Sequence, residues 1–115
     1  MPHCIIEFSS DISPEPLMSS VFEGAIASDL FDKQGADIKV RAIAYDHHIS
    51  GASFSSFIHV TLKILGGRSE EQKASLSNLV LQKVKENKYS NCSITVEVID
   101  IDRASYTKST NLTLP

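Results

Sequence analysis

The chain has 115 residues, 42% of them apolar and 22% charged, and a net charge of −3. That length supports one core-bearing domain rather than two, and the composition is that of a globular chain, not a disordered one. The acidic balance excludes the concentrated Lys and Arg face of a nucleic-acid binder, and no apolar run approaches the roughly 20 residues that cross a bilayer.

The amino terminus, Met1-Pro2-His3-Cys4, has no basic leader, no long apolar run and no small-residue cleavage site, so a secretory signal is not expected. Cys4 and Cys92 each stand alone in an apolar, strand-like stretch. They read as buried reduced thiols of a cytoplasmic protein, a disulfide being the alternative. The segment from His3 to Phe8 alternates and is rich in β-formers, which predicts a first strand. Ser13 then offers a helix N-cap with Pro14 at the first helical position. Leu17, Met18, Val21, Phe22, Ala25 and Ile26 recur at helical spacing, which predicts a helix to about Phe31, and Gly35 closes it before a second strand from Asp37 to Tyr45.

After a small and polar loop from Asp46 to Ser55, the pattern starts again. Residues Phe57 to Ile64 alternate strictly, which predicts a third strand. Gly66-Gly67-Arg68 follows, and Ser69 with Gln72 three residues later forms a capping box. The helix it opens carries Leu76, Leu79, Val80 and Val84 and ends near Asn87 among Lys83, Lys85 and Lys88. The last strand is Cys92 to Ile101, and the polar tail from Ser105 to Pro115 reads as a loose arm or one that clasps a partner.

Two β-α-β units, 2–45 and 56–101, therefore make up an α/β (α+β) chain. Parallel pairing with a right-handed crossover in each unit puts both helices on one face of a four-stranded mixed sheet. If Ile58, Val60, Leu62 and Ile64 face the helices, then Phe57, His59, Thr61 and Lys63 face away, and so do Lys39, Arg41, Ile43 and Tyr45. That uncovered mixed face is where subunits would meet.

Methionine before a small residue such as proline is ordinarily removed, which would leave Pro2 with a free secondary amine. Such an amine is a base at neutral pH only when desolvation and neighbouring cations lower its pKa. Parallel strands start at the same edge, so Pro2 lies near Lys39 and Arg41, and if the second unit runs antiparallel to the first, Arg68 and a helix N-terminus return there too. The same cations that oppose protonation of the amine would hold a substrate carboxylate. Each residue also has a plainer reading: Pro2 as a strand opener, Lys39 and Arg41 as solvated or subunit-bridging charges, and Gly66 to Ser69 as a turn and cap. Asp46-His47-His48 lacks a spaced third ligand, so no metal is expected, and His59 reads as a hydrogen-bonded interface residue.

Pro2-His3-x-Ile5-x-Glu7, followed by Phe57 to Ile64 running into Gly67-Arg68-Ser69, resembles the 5-carboxymethyl-2-hydroxymuconate isomerase family of the tautomerase superfamily over roughly residues 2 to 101. The resemblance implies a single tautomerase-like domain over 1–115, with a tail at 105–115, in a homotrimer with no cofactor. It also implies an amino-terminal proline that moves a proton between carbons of an unsaturated keto or enol diacid, and arginines that bind its carboxylates. Pro2 then corresponds to the catalytic proline, Lys39 and Arg41 to the basic pair on the second strand, and Arg68 to the turn arginine, all three cations binding the small carboxylate substrate. The family commonly has arginine at both positions of that pair, and Lys39 keeps the charge without the bidentate fork, which leaves the substrate's identity open. Two other readings remain at this point: a non-catalytic ligand-binding or assembly module on the same scaffold, and a proline enzyme that hydrates or decarboxylates an unsaturated acid.

Overall fold

The computed structural model describes residues 1–111. Its elements run β1 (His3–Ser9), α1 (Pro14–Ala27), β2 (Lys39–Tyr45), β3 (Ser56–Leu65), α2 (Glu70–Lys85) and β4 (Cys92–Ile101), followed by a short 3-10 turn, Arg103–Ser105. The strands form one mixed sheet in the order β2-β1-β3-β4. β1 pairs with β2 in parallel, β3 with β4 in parallel, and the two units join through antiparallel pairing of β1 with β3.

Alternation decides which side of each strand is buried. Cys4, Ile6 and Phe8 of β1 and Ile58, Val60, Leu62 and Ile64 of β3 are buried beneath the helices. Leu17, Val21 and Ala25 of α1 and Leu76, Val80 and Val84 of α2, each spaced by four residues, supply the facing stripe. Full burial of each larger side chain in this core stabilises the fold by about 1.5–3 kcal/mol. The two helices approach closely at Gly24, where a Cβ would lie 2.7 Å from the Val80 Cα. The opposite face of the sheet carries His3, Ile5 and Glu7, Lys39 to Tyr45 at alternate positions, and His59 and Thr61, with no helix over it.

The capping box at α2 is present in full, with Ser69 Oγ accepting from Gln72 N at 3.1 Å and Gln72 Oε1 accepting from Ser69 N at 2.9 Å. α1 differs from expectation at both ends. Ser13 sits at the N-cap position but its hydroxyl donates to Glu15 Oε1 instead of accepting from the helix. The helix stops at Ala27, short of Phe31, because Ser28 Oγ donates to the Ala25 carbonyl at 2.6 Å and Asp29 turns to φ 59°. Leu30 and Phe31 continue the apolar pattern without continuing the helix, and they pack against the core from a loop.

The tail does not leave the molecule at β4. Asp102 caps the 3-10 turn by accepting from Ala104 N, and Tyr106 Oη then reaches His3 Nε2 at 3.1 Å. The chain thus returns from an edge strand, past the end of β3, to the start of β1. The part of the tail expectation that concerns 112–115 lies outside the described residues.

Candidate active site

The register brings several chain segments to one corner of the sheet. His3 lies opposite Lys39 at the start of β2 and opposite Lys63 near the end of β3, so β1 begins where β3 ends. The turn Gly66-Gly67-Arg68 leads from there into α2, while Leu30 and Phe31, just past α1, close the other side. A cleft of about 240 Å³ opens at this corner, walled by Leu30, Phe31 and Leu65 and carrying Arg68, Arg103, Lys108 and Asp37. Met1 also lines it, and Pro2, the next residue, is fully buried. Hollows of about 370 and 320 Å³ flank Tyr89 and Cys92 at the other end of the strands, where neither the amino terminus nor any arginine lines the wall.

Backbone hydrogen bonds fix the terminus in place. Lys39 N donates to the Pro2 carbonyl at 3.1 Å, and the Met1 amine donates to the Asp37 carbonyl at 2.8 Å. Burial lowers the pKa of that amine, the charge of Lys39 lowers it further, and Asp37 works in the opposite direction. Asp37 Oδ1 is buried and has no hydrogen-bond partner among the described residues. The Cys4 thiol behind the corner is pushed up to about 12 by burial and stays protonated.

The arginine of the turn is anchored. Arg68 Nη2 donates to the Leu30 carbonyl at 2.7 Å, and its guanidinium sits 5.7 Å from the centroid of the Phe31 ring. Four of its five N–H groups remain for a ligand. Lys39 and Arg41 are placed differently. Both side chains are exposed on the uncovered face of the sheet, and neither lines the cleft. Arg41 Nη1 instead lies 3.1 Å from His3 Nδ1. One chain therefore brings the amino terminus and Arg68 together, adds Lys39 through its charge, and leaves Arg41 on the uncovered face of the sheet.

Arg103, Lys108 and Asp37 were not singled out by the sequence. Asp102 with Ser105 is a local turn signature that marks Arg103 as held, but the return of the tail to His3 leaves no trace in local pattern. In the loop after β2, His48 packs edge-on against Phe57 at 5.0 Å. Among the described residues, no three His, Cys, Asp or Glu side chains converge as a metal group would require. No helix among them is long and apolar enough to cross a membrane.

Two β-α-β units joined antiparallel, with both helices on one face of a four-stranded sheet, define the tautomerase-superfamily fold. Solved structures share it along nearly the whole chain. A 5-carboxymethyl-2-hydroxymuconate isomerase from Deinococcus radiodurans R1 superposes with a TM-score of 0.75 at 24% identity, covering 96% of this chain and 90% of that one. The fused 4-OT symmetric trimer Q0 gives a TM-score of 0.77 at 17% identity, covering 96% and 94%. FG41 malonate semialdehyde decarboxylase inhibited by 3-bromopropiolate gives 0.73 at 13% identity, covering 95% and 90%. No curated protein matches the sequence. The model of the 5-carboxymethyl-2-hydroxymuconate isomerase family matches residues 2–114, and the chain belongs to that family of isomerases.

Proposed function

We propose that the mature chain, freed of Met1, uses the Pro2 imino nitrogen to move a proton on an unsaturated keto or enol carboxylic acid of the 5-carboxymethyl-2-hydroxymuconate kind. The observation that carries this reading is that the amino terminus and Arg68 open into one cleft. Removing Met1 exposes a secondary amine at a spot where burial and the Lys39 charge already lower the pKa of an amine. The free base takes a proton from one end of the conjugated system, and the resulting secondary ammonium returns it to a carbon at the other end, so no proton is gained or lost overall.

Arg68 holds a carboxylate through its free guanidinium edge, and charge that builds on the substrate as the proton leaves is balanced by the surrounding cations. The unpartnered Asp37 Oδ1 is an acceptor suited to an enol hydroxyl. Arg41 and Lys39 complete the charge around the site from the sheet face. We read that face as the contact of a homotrimer, because Ile43 and Ile99 are 51% and 40% exposed on it in the single chain. Residues 1–115 then form one domain per subunit. The free thiols of Cys4 and Cys92 fit a reducing compartment, in keeping with a cytoplasmic enzyme.

With Met1 in place, the Pro2 nitrogen is an amide without a basic lone pair. The same cleft would then bind carboxylates and catalyse nothing, and intact mass separates the two states. The test is turnover of muconate-like enol diacids and of phenylenolpyruvate by protein whose terminus has been checked by mass. Pro2→Ala should lose about 10²–10⁴-fold in kcat with little change in substrate affinity. Equal turnover by parent and variant would remove the reading.

A further inference from the structure

The double glycine of the β3–α2 turn acquires a purpose once Arg103 is placed. Gly66 N donates to the Ile101 carbonyl at 3.0 Å, which ties the turn to the end of β4. The Gly66 carbonyl accepts from Arg103 Nε, and a Cβ built on Gly67 would meet Arg103 Nη2 at 3.7 Å and Nε at 3.8 Å. Gly67 itself has φ +123°, a conformation that side-chain-bearing residues rarely adopt. The Arg103 guanidinium therefore lies along a backbone stripped of side chains, beside the turn that also presents Arg68.

Both arginines are held by carbonyl oxygens, Arg103 by Gly66 and Arg68 by Leu30. Each keeps donors free, and Lys108 from the tail lines the same cleft. Three cations against the one carboxylate of Asp37 exceed what a single substrate carboxylate needs. Two forks fixed before the ligand arrives match a molecule with two carboxylates, because little side-chain ordering is left to be done on binding.

We propose that Arg103 is the second carboxylate-binding residue of this cleft, taking the carboxylate of a dicarboxylate substrate that Arg68 does not hold. The assignment rests on the cleft being the substrate site, but it does not depend on Pro2 chemistry. A ligand whose carboxylates engage Arg68 and Arg103 leaves its unsaturated stretch against Leu30, Phe31 and Leu65, near the amino terminus.

The test uses muconate and sorbate, which differ in that one carboxylate of muconate is a methyl group in sorbate. Binding is measured by calorimetry on the protein as isolated, with its terminus checked by mass, and neither ligand has to turn over. Arg103→Ala should weaken muconate about tenfold or more and leave sorbate within about twofold, and Arg103→Lys should lie between. Unchanged muconate binding overturns the assignment. Equal weakening of both ligands also overturns it, since that would make Arg103 a brace for the tail. Discrimination lost in Arg103→Ala, in a protein that shows no isomerase turnover, would sink the proline mechanism and leave this assignment standing.

Discussion

Arg41 Nη1 lies 3.1 Å from His3 Nδ1, and because arginine only donates, that ring nitrogen must be the acceptor. The ring proton is thereby confined to Nε2, which donates to Tyr106 Oη at 3.1 Å. A strand, its parallel neighbour and the tail are joined through one neutral imidazole. Protonation would set an N–H against the guanidinium, so the arrangement selects uncharged His3.

That selection predicts a pH dependence. The His3 pKa is lowered from its ordinary 6.5, first by burial and then by Arg41, with the amino terminus, Lys39 and Lys63 adding to it. The unfolded chain therefore takes up the proton first as pH falls. The contribution of neutral His3 is whole above 6.5 and is lost as pH drops from there through the lowered folded value. Thermal melting of His3→Gln, which does not titrate, should fall less steeply than the parent below pH 6.5. Parallel profiles would show that the imidazole is not held neutral.

Gly24→Ala sets two effects of opposite sign against each other. Alanine gains up to about 1 kcal/mol of helix propensity over glycine. Its Cβ would lie 2.7 Å from the Val80 Cα, which is backbone and can yield only by moving α2 away from α1. Overpacking of that kind costs about 1–3 kcal/mol and outweighs the gain. Urea titration should show a net loss of up to about 2 kcal/mol. Gly51→Ala, with nothing within 4 Å, is the control and should be close to neutral.

Much of this was legible from residue pattern, and the exceptions have a common cause. β4 was read with the bounds it has, Cys92–Ile101, and the Ser69–Gln72 capping box was read with both its hydrogen bonds. Period-two alternation in β3 gave the buried and uncovered faces because each residue's side is fixed by its neighbours on the same strand. α1 was read too long because Leu30 and Phe31 keep the helical spacing of apolar residues although Ser28 and Asp29 have already turned the chain. The sequence does not single out Arg103 because its place is set by the Gly66 carbonyl of a distant turn, nor Lys108 because the tail returns to His3, more than a hundred residues from Tyr106 along the chain. Pairing between distant segments is set by tertiary packing, which local pattern does not record.

The uncovered sheet face predicts assembly. Ile43 is 51% exposed beside Glu7 in the sheet, and Ile99 is 40% exposed beside Lys63. Apolar groups of that size set among charges are better covered by another subunit than by water. Sedimentation at micromolar concentration should give three chains for the parent and a shift toward one chain for Ile43→Asp, which places a desolvated charge in the contact. A parent that sediments as one chain removes the homotrimer.

Arg68 tests whether the cleft binds through charge or through geometry. Its guanidinium is positioned by the 2.7 Å bond to the Leu30 carbonyl and by the Phe31 ring 5.7 Å away, and a lysine keeps the charge while giving up the planar fork. If Arg68 holds a carboxylate that is equally charged in ground and transition states, its loss weakens both alike. Arg68→Lys should then raise KM about tenfold and leave kcat within about threefold, with Arg68→Ala raising KM further. The pattern would differ if the arginine faced charge that develops only as the proton moves. In that case kcat would fall in both variants at nearly constant KM, and Arg68 would have to be reassigned from holding the substrate to stabilising its enolate.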